Sequence, residues 1–170
     1  KLSYHKLDHA SPIFEHINEF HKHRFHSDAF REKEISLICF VAEQMEQGAL
    51  EKSFSSILYL DEKPLSAILN LSVNGRIYNI QLGFIEEFDK RISIGTLHLG
   101  YTIERAFENP NIKIFDLLAG TGKNTNYKER IAETDTNLES VQIVSNNALK
   151  ALYMINDRLI RQLKPLFSSK

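Results

Sequence analysis

The stretch "LSAILNLSVNGRIYNIQLGF", Leu65 to Phe84, decides how this chain is read. Leu65, Ala67, Leu69, Leu71 and Val73 alternate with Ser66, Ile68, Asn70 and Ser72, the period of two with which a β-strand faces two ways. Asn74-Gly75 follows, and both residue types tolerate the positive φ of a type I′ turn. "RIYNIQL" then returns as the partner strand. Upstream, "FSSILYL" is rich in strand formers, and Asp61-Glu62-Lys63-Pro64 reads as a tight connection. Three successive strands with short turns make an antiparallel meander.

Outward from the meander the pattern turns helical. In "SPIFEHINEFHKHRF", Ile13, Ile17, Phe20 and Arg24 follow helical spacing, and Ser11-Pro12 suits a helix entry. A second helix, from Ser27 to Gln47, places Phe30, Ile35, Ile38, Ala42 and Met45 on one face, with Gly48 as its stop. After Gly83, "FIEEFDKR" is polar and irregular. "SIGTLHLGYTIERAFENP" then reads as a helix with Leu97, Gly100, Ile103 and Phe107 aligned, ended by Pro110. "IKIFDLL" and "LESVQIV" read as strands, and "NNALKALYMINDRLIRQLKPLF" as an amphipathic helix with Leu152, Ile155, Leu159 and Leu163 on one side. The expected order is ααβββαββα, an α+β fold with a mixed sheet. Its strand–helix–strand unit is expected to be a right-handed crossover between parallel neighbours.

The 170 residues suit one domain, 1–170. With 21 Lys+Arg against 22 Asp+Glu, composition gives no electrostatic case for nucleic acid or an anionic membrane. Cys39 lies in the apolar stretch "ISLICFVAEQM" without a base or cation beside it in sequence, which reads as a structural thiol. No apolar run approaches the ~20 residues that span a bilayer. A cytoplasmic location is the expectation.

"IFDLLAGTGKNTNYKER", Ile114 to Arg130, imitates a phosphate-binding P-loop through its Gly122-Lys123. A P-loop needs a glycine where Leu117 stands and a hydroxyl residue where Asn124 stands, so nucleotide binding by this loop is rejected. His16, His21, His23 and His26 crowd one helix, and His5 and His9 are four apart, but no complete ligand set accompanies them. They read as a solvated face, with no metal expected. Two readings stand for the start of the helix near Gly95. Ser93, Gly95 and Thr96 leave backbone N–H groups accessible to an anion at the positive end of the helix dipole, with Lys90 and Arg91 just upstream. Equally, any helix needs a small polar start.

The segment from Leu58 to Lys128 resembles the GNAT acyltransferase superfamily, and within it the CelD-like branch related to Fem-type aminoacyltransferases. The resemblance rests on "DEKPLSA" at Asp61 to Ala67, "RIYNIQLGF" at Arg76 to Phe84, "SIGTLHL" at Ser93 to Leu99 and "IFDLLAGTGKNTNYKER". Each motif is weak alone, but their order and spacing are specific. Ile94 stands where the branch has proline, Glu62 where it has the turn glycine, and the loop from Gly120 to Tyr127 is longer.

The resemblance implies a GNAT-like fold and an acyl-CoA-dependent N-acyltransferase, with acetyl-CoA or another acyl-CoA as co-substrate and an amine of a small molecule, amino sugar or peptide as acceptor. It implies that Arg91, Ser93, Gly95 and Thr96 bind the donor's pyrophosphate. Tyr127 would protonate the leaving thiolate, Lys128 would hold an anionic part of a substrate, and Asp116 and Glu129 would be candidate bases. The chain would be a stand-alone domain, the second half of a tandem, or one copy in a homodimer. The alternatives are a Fem-type enzyme using charged tRNA and a non-catalytic GNAT-like half.

Overall fold

The computed structural model describes residues 1–6, 11–45, 53–89, 91–118, 125–134, 146–147, 149 and 151–155. The chain divides into two compact units, Lys1–Glu133 and Thr134–Lys170. In the first, the order is β1 (Leu2–Lys6), α1 (Ser11–Phe25), α2 (Glu32–Met45), β2 (Ser56–Leu60), β3 (Lys63–Val73), β4 (Arg76–Phe84), α3 (Ile94–Phe107), β5 (Ile114–Asp116) and α4 (Thr125–Ile131). The strands form one sheet in the order β1-β2-β3-β4-β5, antiparallel through β4 and parallel between β4 and β5. In the second unit, Asn147, Leu149 and residues 151–155 are helical, within the expected last helix. The expected strand "LESVQIV" lies outside the described residues.

The meander forms as its turn chemistry dictates. Asn74 (φ 50°) and Gly75 (φ 75°) take the left-handed pair of a type I′ turn. A Cβ on Gly75 would meet the Asn111 carbonyl oxygen at 2.5 Å, and Gly75's own carbonyl accepts from Lys113 N–H at 2.8 Å. The hairpin turn thus also anchors the chain entering β5. The β2–β3 turn uses Asp61 (φ 46°) and Glu62 (φ 68°), with Leu60 paired to Lys63. Pro64, which lacks an N–H, sits where the register slips between Leu58 and Tyr59, the place a sheet tolerates proline.

Three expectations need correction. The sequence reading has no strand before the first helix, yet β1 pairs with β2 along its length. Of its described side chains Tyr4 alone, packed against Leu58, Leu65 and Ile94, reaches the core, so the pattern is too short to signal a strand. The second helix starts at Glu32 rather than Ser27. Asn18 of α1 takes both backbone groups of Phe30, accepting from its N–H (2.8 Å) and donating to its carbonyl (2.7 Å), and His26 lies at φ 58°. Those tertiary bonds hold the connection out of helix, and Glu34 then accepts from Arg31 N–H as a cap.

The third concerns α3. Its buried residues are Ile94, Gly95, His98, Leu99, Thr102 and Ala106, whereas Gly100 and Phe107 are exposed. The aligned set Leu97, Gly100, Ile103 and Phe107 is therefore not the inward face. The true inward face is partly polar, so apolar periodicity conceals it. His98 Nε2 lies 3.0 Å from Ser56 Oγ and its Nδ1 2.9 Å from Ser66 Oγ, while Thr102 Oγ1 donates to the His98 carbonyl. The same packing explains why the polar residues of β3 do not face solvent: Ser66, Asn70 and Ser72 are all buried.

Two apolar layers sandwich the sheet. Ile13, Phe14, Ile17 and Phe20 of α1 pack with Ile57, Ala67 and Leu69 on one face, joined by Ile35, Ile38 and partly buried Cys39 of α2. Burial raises the Cys39 pKa, as expected of a structural thiol. On the other face α3 packs Leu99 against Ile68 and Leu117, and Ala106 against Ile77 and Ile112.

Burial pushes the His98 pKa down to about 3 from 6.5, so the ring is neutral in the folded protein. Between those values the unfolded chain binds a proton that the folded chain refuses. Stability therefore falls as pH drops below about 6.5, with a slope approaching ~1.4 kcal/mol per pH unit from this one group. Urea unfolding at pH 7, 6 and 5 checks it: His98→Gln, destabilised at pH 7, is expected to show a flatter decline. Parallel declines for the two proteins refute the assignment.

Candidate active site

The site begins with an irregularity in β4. Leu69 pairs with Gln81 but Asn70 pairs with Asn79, so Ile80 is an extra residue in β4, a β-bulge. A buried polar chain surrounds it. Asn70 Nδ2 donates to the Phe54 carbonyl at 3.3 Å, and Asn79 Nδ2 donates to Asn70 Oδ1 at 2.9 Å. Ser55 Oγ accepts from Asn70 N–H and donates to the Asn70 carbonyl. Because a backbone carbonyl can only accept, Phe54 fixes which way Asn70 faces, and Asn70 in turn fixes Asn79. Asn79 is 6% exposed and lines a cleft.

β5 accompanies β4 only from Arg76 to Tyr78. From Asn79 to Phe84 the outer edge of β4 has no strand partner among the described residues, leaving main-chain donors and acceptors for something else to pair. That edge, the start of α3 and part of α1 enclose a cleft of about 440 Å³. Its lining includes residues 79–84, Ser93, Gly95, Thr96, Lys128 and, from α1, Phe20, His21, Arg24 and Phe25.

Ser93 is the N-cap of α3, but its side chain makes no capping bond and instead meets Thr96 Oγ1 at 2.9 Å. The helix's first turn holds no acid, and its first internal bond runs from Leu97 N–H to the Ser93 carbonyl. The N–H groups of residues 94–96 are thus uncapped at the positive end of the dipole. Gly95 is there for close approach: a Cβ would lie 2.9 Å from the Phe84 ring and 3.3 Å from Leu82. Both readings of this helix start are therefore served by the same residues.

The remaining expected residues divide. Arg91 is exposed and its guanidinium grips the Asp89 carboxylate at 3.0 and 2.8 Å, which holds the Asp89 pKa below the usual carboxylate range. Arg91 is absent from the residues lining the cleft with Ser93, Gly95 and Thr96. Asp116, half-buried at the end of β5, accepts from Leu118 N–H at 2.9 Å and faces Arg76 at 3.5 Å. Lys128 lines the cleft, but its ammonium donates to the carbonyls of Leu117 (2.5 Å) and Leu118 (3.1 Å). Burial lowers its pKa, opposed by the Asp116 charge. Glu129 is exposed. Tyr127 lies on α4, a short helix where the sequence reading has a loop, and its side chain lies outside the description, as do Gly120 to Asn124.

Sequence reasoning passes over the α1 wall and Asn79. His21 is weighed only as a metal ligand; among the described residues no group of three or more His, Cys, Asp or Glu could hold a metal ion. Asn79, a polar residue at a core position of an apolar strand, is the signal that could have marked the bulge.

Lys128 is expected to act on stability through the β5 terminus. Lys128→Met removes the donor to two carbonyls and is expected to cost about 1–2 kcal/mol in urea unfolding. A variant with unchanged stability would free the ammonium for a substrate.

The chain matches a family model described as an acetyltransferase (GNAT) domain over residues 4–129. Similar folds include a possible acetyltransferase from Clostridium difficile 630, with TM-score 0.55 and 14% identity, covering 85% of this chain and 97% of that one. The ribosomal-protein-S18-alanine N-acetyltransferase from Escherichia coli matches with TM-score 0.55, 11% identity and coverage of 81% and 80%. Arabidopsis thaliana Naa50, in complex with the bisubstrate analogue CoA-Ac-MVNAL, matches with TM-score 0.51, 13% identity and coverage of 80% and 85%. No curated protein matches by sequence. At such identities the structures attest the fold, and the family model, which covers most of the chain, attests the lineage: this chain belongs to the GNAT acetyltransferase family.

Proposed function

We propose that the chain is an acetyl-CoA-dependent N-acetyltransferase acting on a small-molecule or peptide amine. The observation that carries this reading is the continuity of the β4 edge with the uncapped N-terminus of α3 along one cleft. An extended pantetheine arm with two amides suits the unpaired strand edge, as an added strand would. Its pyrophosphate suits the N–H groups of residues 94–96, where no acid repels it. Ser93, Gly95 and Thr96 thus bind the donor, with Arg91 beside them on the approach. The thioester then reaches the bulge at Ile80, where displaced main-chain N–H groups can stabilise the oxyanion. Naa50, which holds an analogue joining CoA to an acetylated peptide sequence, supports a peptide among the acceptors to try first.

Tyr127 is the proposed proton donor to the departing thiolate, as the GNAT resemblance implies. Asp116 and Glu129 are poorer as bases, the first tied to Leu118 N–H and Arg76, the second exposed. Lys128 contacts an acceptor only if it leaves its two carbonyls. The resemblance to the CelD-like branch supports a tandem or dimeric context for this domain. The tRNA-dependent alternative needs a broad basic surface, which a net charge of −1 does not favour.

Calorimetry with CoA tests the donor site. Gly95→Glu would confound the answer, because any side chain there strikes Phe84. Thr96 is exposed, so Thr96→Glu places a carboxylate in the first turn without a clash. A carboxylate there favours the helix by roughly 0.3–1 kcal/mol, so Tm is expected to hold or rise while CoA affinity falls about tenfold or more. Unchanged affinity removes the pyrophosphate assignment, and no CoA binding by the unaltered protein removes the reading.

Tyr127→Phe is expected to lower kcat by about a hundredfold with little change in Tm. Steady-state rates with any acceptor found by screening amines decide it, and full activity would leave the tyrosine a packing role.

A further inference from the structure

His21 stands on the α1 wall of the cleft. α1 is seated on the sheet by Ile13, Phe14, Ile17 and Phe20, which pack around Leu69 and Ile80, so its last turns are held beside the bulge of β4. His21 Nδ1 lies 2.8 Å from the Ser27 carbonyl oxygen. That oxygen can only accept, so Nδ1 carries the hydrogen, and in the neutral ring Nε2 then bears the lone pair. Among the described residues no group is bonded to Nε2. Phe25 covers the ring at 4.6 Å between centroids, and Arg24 lies 4.8 Å over Phe25.

The charged groups of the cleft are committed. Arg24 is paired with Glu86 at 2.7 Å, and Lys128 is tied to the carbonyls that end β5. A tautomer fixed by a backbone carbonyl, with the second ring nitrogen unused, is the arrangement that orients an imidazole as a base. We propose that His21, through Nε2, is the catalytic base that deprotonates the acceptor amine. This rests on the N-acetyltransferase reading and adds the group that reading lacks.

The step balances as follows. An alkylammonium gives one proton to Nε2 and becomes the neutral amine. Its lone pair forms the C–N bond at the thioester carbonyl, and the C–S bond breaks as the tetrahedral intermediate collapses. The thiolate takes the excess proton of the new amide nitrogen, relayed by the proton donor. The imidazolium returns its proton to solvent, leaving the acetamide, CoA thiol and one proton.

The test uses the full chain, acetyl-CoA, and two probe acceptors small enough for the cleft, n-butylamine and O-methylhydroxylamine, with thiol release as the readout. Butylamine is an ammonium at neutral pH and needs a base, whereas O-methylhydroxylamine is already neutral. His21→Asn keeps an amide N–H that can reach the Ser27 carbonyl and removes the base. Its kcat/KM for butylamine is expected to fall about a hundredfold, that for O-methylhydroxylamine by less than ~threefold, with CoA affinity unchanged. Added imidazole is expected to restore butylamine turnover in His21→Ala. Equal losses on both amines make His21 a structural residue, and no loss on either overturns the proposal outright. Failure of the unaltered protein to bind CoA overturns the acetyltransferase reading, and the base assignment with it.

Discussion

Asn70 and Asn79 share one buried hydrogen bond of 2.9 Å, and the geometry of the site depends on it. A bulge in a central strand breaks the ladder and leaves polar groups that water cannot reach, each costing about 1–3 kcal/mol if unpaired. Here Ser55, the Phe54 carbonyl and the two asparagines satisfy one another, so the extra residue Ile80 is tolerated where β4 becomes the edge of the sheet. With the bulge in place, β4 parts from β5 after Tyr78 and exposes its edge.

α3 serves the fold and the site from different surfaces. Its flank is locked to the sheet by His98, whose two ring nitrogens meet serines on β2 and β3. Its N-terminus is left bare, because the Ser93 hydroxyl bonds the Thr96 hydroxyl and not the N–H groups of the first turn. The lock fixes where the bare end points. Gly95 lets the first turn lie directly on Phe84 and Leu82, so the positive end of the dipole is brought to the end of the β4 edge.

The cleft holds cations, yet most are already paired. Arg24 meets Glu86 and Lys128 meets two carbonyls, while Arg91, outside the cleft lining, meets Asp89. Exposed pairs of this kind contribute little stability, but they lower the net charge the cleft offers. In the proposed donor site, anion recognition falls to backbone N–H groups, whose direction is set by the fold, and not to flexible side chains. That accords with a chain of net charge −1 and the polyanionic donor proposed for it.

The sequence by itself determined the meander, the crossover helix and the family. Turn chemistry at Asn74-Gly75 and alternation in β3 are local rules, and local rules are legible in one dimension. It also marked Ser93, Gly95 and Thr96, since small residues at a helix start are a local pattern too. Tertiary structure alone decided which face of α3 is buried, because that face carries a histidine and a threonine whose partners lie 42 and 46 residues away. It decided that Lys128 is held by the Leu117 and Leu118 carbonyls just past β5 and Asp116 by Arg76 and Leu118, through contacts no spacing rule encodes. It alone placed His21 beside the bulge, since a helix wall meets a strand edge only when the chain has folded and packed both against one core.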